Sequence, residues 1–164
     1  MDQLWAPWRL AYVAKKAPPT GGDECFICRG LAESNDRDNL IVKRTPLSAV
    51  VLNKFPYNNG HLLVVPRAHK GRLDELTTEE SLDLQDGLTR MIRLMEQTMR
   101  PEGFNVGLNM GKVAGAGLPG HLHWHLVPRW NGDTNFMPVF GDVRVISQSL
   151  NALYDLLSAA LDRA

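Results

Sequence analysis

Three short runs rich in Val, Leu and Ile, at about 40–44, 48–53 and 61–65, are parted by Arg44-Thr-Pro and by Pro56-Tyr-Asn-Asn-Gly60. Apolar, β-branched runs bounded by turn formers predict three strands joined as hairpins. The period then lengthens. Leu84, Leu88, Met91, Ile92, Met95 and Met99 recur at helical spacing behind Thr77-Thr-Glu-Glu80, which has the residue types of a capping box, and Pro101 stops the pattern. Phe104 to Met110 alternates weakly and His121 to Val127 strictly, predicting strands four and five. Val143, Ile146, Leu150, Leu153, Leu157 and Leu161 predict a terminal amphipathic helix. Hairpin-connected strands without βαβ alternation, with two segregated helices, give the α+β class: a five-stranded antiparallel sheet, a long central helix and a C-terminal helix.

The 164 residues suit one domain. Residues 1–24 place Trp5, Trp8, Leu10 and Tyr12 ahead of Pro18-Pro-Thr-Gly-Gly22, the composition of a docked arm and linker, so the single domain is expected over 25–164. Lys and Arg number 18, as do Asp and Glu, and this balance argues against a nucleic-acid or membrane-surface partner. No apolar run approaches the ~18 residues that span a bilayer, and the start lacks an apolar signal core, so cytoplasm is expected. The cysteines are two, Cys25 and Cys28, which in that compartment suggests metal or redox use before a structural disulfide.

The informative segment is Gly120-His121-Leu-His123-Trp-His125-Leu-Val-Pro128. On a strand, alternation puts His121, His123 and His125 on one face and Leu122, Trp124 and Leu126 on the other. Three of the chain's five histidines in one row do not suit a core stripe, because adjacent imidazoles each need partners and repel when protonated. Neutral imidazole is a good nucleophile at phosphorus, and neighbouring imidazoles can donate hydrogen bonds to the oxygens on which charge develops. Just before the row, Gly111, Gly115, Gly117 and Gly120 would let backbone N–H groups approach an anion. Phosphate-ester chemistry is therefore the leading reading, with a metal-only or structural histidine cluster as the bland one. Arg67, Lys70, Arg72 and Lys112 can attract a polyphosphate or simply be solvated.

These residues carry a resemblance. His-Leu-His-Trp-His-Leu-Val-Pro resembles the signature of the histidine triad family, and Asn53 followed by Asn59-Gly-His61-Leu-Leu-Val-Val-Pro66-Arg-Ala-His69 is similar to that family's nucleotide-binding hairpin. The likeness spans roughly residues 25–135. Leu4 to Tyr12 and His125 to Phe136 resemble most the bacterial, fragile-histidine-triad-like branch that includes diadenosine tetraphosphate phosphorylases.

The resemblance implies a two-step nucleotidyl hydrolase or transferase acting on dinucleoside polyphosphates. His123 attacks the α-phosphorus and becomes a covalent nucleotidyl-histidine, which water or phosphate then releases. His125 bonds the phosphate, and His121 and His61 line the site. Asn53 matches the ribose contact and Asn109 a polar position at the phosphate. A homodimer whose sheets continue across a two-fold axis is also implied. The loop departs from a common pattern: Gly117 and Leu118 stand where many members carry Gln and Ser or Thr donors, which leaves room for a phosphate acceptor.

Cys25-Phe-Ile-Cys28 supplies half a tetrahedral zinc site. In bacterial relatives of the family the pair is completed by the histidines that map to His69 and His121, which implies structural zinc and no metal in the covalent step; redox use and idle buried thiols compete. A histidine bound to zinc is not free to contact substrate. Other readings are a nucleoside phosphoramidase or adenylyl-sulfate hydrolase of the same family, and a catalytically silent nucleotide-binding module. In a further reading the histidine row ligates a catalytic zinc, though same-face strand side chains converge poorly on one ion.

Overall fold

The computed structural model describes residues 25–141 and 145–163; the predicted N-terminal arm, with Trp5, Trp8, Leu10 and Tyr12, lies outside them. A short helix α1 (Phe26–Ala32) precedes the hairpin strands β1 (Ile41–Arg44), β2 (Ser48–Leu52) and β3 (Leu62–Pro66). The long helix α2 (Thr78–Thr98) follows, then β4 (Gly103–Leu108), β5 (Trp124–Arg129), a short α3 (Met137–Gly141) and the terminal α4 (Leu150–Leu161). The strands form one antiparallel sheet in the order β1-β2-β3-β5-β4. The α+β class and the five antiparallel strands are as the hydrophobic pattern predicts. No helix among the described residues is long and apolar enough to cross a membrane.

Strand alternation divides the core between the two faces of this sheet. Val50, Leu52, Leu62, Val64 and Leu126 meet Leu84, Leu88, Met91 and Met95 of α2 and Leu153 and Leu157 of α4. Trp124 packs against this cluster, as its place opposite the histidines predicts. On the other face Ile41, Ala49, Val51, Leu63 and Val65 pack with Cys25 and Ile27 from the start of α1. Helix α2 begins on the predicted capping box: the Thr77 hydroxyl accepts from Glu80 N at 3.2 Å, and the Glu80 carboxylate accepts from Thr77 N at 2.8 Å.

Three boundaries differ from the sequence expectation. Helix α1 was not predicted, because its N-cap is Cys25, whose Sγ accepts from Cys28 N at 3.4 Å, and cysteine is not a residue that announces a helix start. The terminal helix begins at Leu150, capped by Ser149, with Ile146 in the coil before it; Val143 lies outside the described residues. Most consequential, β5 begins at Trp124 and not at His121. Its partners run out there: β4 leaves the ladder at Leu108, opposite Trp124, and the Leu122 N–H is donated to Lys70 O at 2.7 Å. Of the three histidines the ladder therefore holds only His125; His121 and His123 lie ahead of it.

Candidate active site

His125 is the triad residue set by the sheet. It pairs with Leu63 on one side and Gly107 on the other, where the missing side chain leaves open space beside the imidazole. His123, only 7% exposed, donates from Nδ1 to the carbonyl of His121 at 2.8 Å. A carbonyl accepts and never donates, so this bond places the ring proton on Nδ1 and leaves Nε2 with a free lone pair. The His123 and His125 rings meet edge to face at 5.1 Å.

The tautomer of His125 follows from a chain of bonds behind it. His61, 1% exposed, accepts at Nδ1 from the Tyr57 N–H at 3.0 Å, with Asn53 Nδ2 at 3.2 Å from the same atom. Its proton therefore sits on Nε2, which donates to His125 Nδ1 at 2.9 Å. That leaves the His125 proton on Nε2, the far side of the ring. Burial, with His123 adding repulsion, pushes His125 down to about 4, so it is neutral at physiological pH. The His123 tautomer that leaves Nε2 bare thus stands beside a neutral His125 that offers an N–H.

The Tyr57 ring stacks on His125 at 5.5 Å and lies tilted against His61 at 4.6 Å. Sequence reasoning missed Tyr57. Its backbone role depends on the turn before Gly60, and a tyrosine between Pro56 and two asparagines reads as turn composition. Asn53 sits just past the end of β2; its Oδ1 accepts from Phe55 N at 2.9 Å while its amide faces His61.

His121 turns away from this pair. Fully buried, it donates from Nε2 to Pro66 O at 2.8 Å and directs Nδ1 at Cys25 Sγ (3.2 Å) and Cys28 Sγ (3.4 Å). His69 Nδ1 lies 3.2 Å from Cys28 Sγ. The ligand atoms of Cys25, Cys28, His69 and His121 all fall within 4.8 Å of one another. Edges of a zinc tetrahedron with Zn–S and Zn–N bonds near 2.3 and 2.0 Å are about 3.3–3.8 Å, close to the three thiol–imidazole distances of 3.2–3.4 Å. The donor set fits as well. Burial and the hydrogen bond with Cys25 push the Cys28 thiol up to about 11, so it takes a cation's charge to make it a thiolate at neutral pH. The Pro66 carbonyl fixes the His121 tautomer that leaves Nδ1 free to ligate. The cluster can hold a metal ion, and with both ring nitrogens engaged His121 has none to turn to the cleft.

The glycine loop opens with Gly111 at φ +87°, makes a turn of 3-10 helix over Lys112–Ala114 and leaves it at Gly115 with φ +94°. Gly115 donates its N–H to Lys112 O at 3.1 Å, so its contribution is the left-handed turn, next to the Asn109 amide. Gly117 has open space where a Cβ would stand, whereas Gly120 lies against the His69 ring and is needed for packing. Leu118, at one of the positions where donors are common, turns its side chain into the second core cluster. Among the basic residues, Lys70 is paired with Glu80 and Arg72 with Asp74, while Lys112 is exposed on the loop.

The HIT domain family matches residues 34–132. The chain is 40% identical over 162 residues to the AP-4-A phosphorylase of Mycobacterium tuberculosis, covering 96% of this chain and 83% of that protein. It is 36% identical over 90 residues to the asymmetrical bis(5'-nucleosyl)-tetraphosphatase of Schizosaccharomyces pombe, covering 55% of this chain and 49% of that one. Among solved structures, a Zn-bound histidine triad family protein from Mycobacterium smegmatis superposes with a TM-score of 0.69 at 26% identity, over 87% of this chain and 96% of the other. Sequence, sheet order and the paired imidazoles agree, and the chain belongs to the histidine triad family.

Proposed function

We propose that this protein is an enzyme that cleaves dinucleoside polyphosphates of the diadenosine tetraphosphate type, through a covalent nucleotidyl intermediate on His123. The observation that carries the reading is the bond from His123 Nδ1 to the His121 carbonyl, which selects the tautomer whose Nε2 lone pair can act as nucleophile in a buried site. Nε2 forms a bond to the α-phosphorus as the bridging P–O bond breaks, and the electron pair leaves with the polyphosphate oxygen. The Nε2–H of His125, oriented through His61, donates to the phosphate oxygens as charge develops. Phosphate or water then attacks the same phosphorus and returns the His123 nitrogen unchanged.

Asn53 holds the ribose, and Asn109 with the turn at Gly115 and Gly117 borders the phosphates. The similarity to AP-4-A phosphorylase favours phosphate as the acceptor. So does the leaving-group side, where Gly117 has no side chain and Leu118 is apolar and packs against the second core cluster, so neither side chain donates there. Cys25, Cys28, His69 and His121 hold a structural zinc; bound there, it ties the segment carrying His123 to α1 and takes no part in the covalent step. The working form is a cytoplasmic homodimer, with residues 25–164 as one domain and the exposed edge of β4 available for pairing.

The test is product analysis by mass after incubation with diadenosine tetraphosphate, with and without inorganic phosphate. ADP plus ATP formed only with phosphate supports phosphorolysis, and AMP plus ATP without it means hydrolysis. Absence of turnover here, combined with cleavage of adenosine phosphoramidate or adenylyl sulfate, would overturn the substrate assignment. Inertness toward all three would leave a nucleotide-binding module.

A further inference from the structure

His121, Leu122 and His123 lie ahead of β5, so the ladder does not hold the segment that presents the nucleophile. What holds it instead is the turn after β3. Pro66 O accepts from the His121 ring at 2.8 Å, and Lys70 O accepts from Leu122 N at 2.7 Å. The contact is close packed: a Cβ on Gly71 would stand 2.9 Å from Pro119 O, and one on Gly120 would stand 3.3 Å from the His69 ring. The turn is itself anchored at one point on the central helix. Lys70 Nζ donates to Glu80 Oε2 at 2.5 Å, and the same carboxylate oxygen accepts from Thr77 N at 2.8 Å, closing the capping box of α2.

Both partners are largely shielded, with Glu80 8% exposed and the Lys70 side chain 23%. Their attraction is therefore screened less than that of a surface pair. Glu80 is held below the usual carboxylate range, first by the hydrogen bond from Lys70 and then by the Thr77 amide.

We propose that the Lys70–Glu80 pair is a positioning device for the nucleophile: it locks the turn whose carbonyl holds Leu122, and so fixes where His123 points. The proposal rests on the reading of His123 as the nucleophile. Lys70 and Glu80 act through the backbone and not on substrate; the side chain of Lys70 is spent on the helix, which removes it from the cations available to a polyphosphate. A nucleophile must lie within a fraction of an ångström of its line of attack, so a looser segment lowers turnover more than binding.

The experiment uses the full-length, zinc-loaded protein and two routes to the same bond, Lys70→Met and Glu80→Gln, with Lys70→Arg as the conservative control. Hydrogen exchange at the Leu122 amide is read by NMR beside exchange at Val50 in the core, and kcat and KM are measured with diadenosine tetraphosphate. Both disrupting variants should speed Leu122 exchange and lower kcat, each by about tenfold, with KM changed less than about twofold and Val50 unaffected. Lys70→Arg should recover both values. Wild-type protection at Leu122 with wild-type kcat in both variants would overturn the proposal, and so would faster exchange without loss of kcat. A fall in kcat with Leu122 still protected would also overturn it, since Lys70 would then act directly. If the wild-type protein itself shows no turnover, the nucleotidyl reading fails, and exchange at Leu122 still decides whether the clamp exists.

Discussion

At the scale of single residues, the chemistry depends on where three protons sit. His123→Ala should abolish the nucleotidyl adduct seen by acid-quench mass spectrometry and lower turnover at least about 10³-fold, while costing about 1–2 kcal/mol of stability because the buried His121 carbonyl loses its donor. Retained turnover would refute the assignment. His125 makes a prediction about pH. Its folded value, about 4, lies below the ~6.5 of an exposed imidazole, so as pH falls the unfolded chain takes the proton first. The stability it contributes is therefore complete above about 6.5 and is lost as pH falls through about 4. Urea unfolding of wild type and His125→Gln across that window should show the steeper acid decline in the wild type; parallel curves would contradict a buried neutral imidazole.

At the scale of elements, the turn between β2 and β3 has to bring Tyr57 N–H, Asn53 and His61 together. Gly60 makes this possible with φ +80° and a close approach to Pro128, to Met95 of α2 and to Met99 at that helix's C-cap. A Cβ there would stand 2.8 Å from Pro128 Cγ, so Gly60→Ala should destabilise by about 1–3 kcal/mol in chemical denaturation and lower kcat through His61. The elements were largely legible beforehand, because the strands alternate, α2 carries a long apolar stripe, and its Thr77–Glu80 box stands in the sequence as written. What was illegible were ends set by partners. Strict alternation from His121 to Val127 reads as one strand, yet pairing needs a neighbour at every step, and β4 and β3 supply none before Trp124.

At the scale of the whole molecule, the Cys25, Cys28, His69 and His121 cluster, which can hold a metal ion, joins the start of α1, the turn after β3 and the segment before β5, with Cys25 and His121 lying 96 residues apart. Closing so long a loop through one ion would make binding part of folding. Removal of zinc by a chelator, or Cys25→Ser, should lower the melting temperature by at least about 5 °C and reduce kcat together with it. Calorimetry that finds the same melting temperature and no bound metal would sink the structural-zinc reading. Sedimentation should find a dimer at micromolar concentration; a monomer that retains full activity would remove any need for pairing at β4.

The sequence by itself determined the class of the fold, the apolar faces that build the two cores, and the short list of residues able to do the chemistry. Those properties are local, carried by periodicity, capping residues and the kinds of side chain present. The family resemblance already offered His121 to a metal; the tertiary structure decided the geometry, setting the histidines in two clusters. Alternation placed His121 with His123 and His125, but the ring of His121 bonds Pro66 O and faces the thiols, while His61, from another hairpin, takes its place beside His125. A proton's position on an imidazole depends on what each nitrogen meets. Those partners, Tyr57 N–H, the His121 carbonyl and the Pro66 carbonyl, are backbone groups whose whereabouts no side-chain pattern encodes.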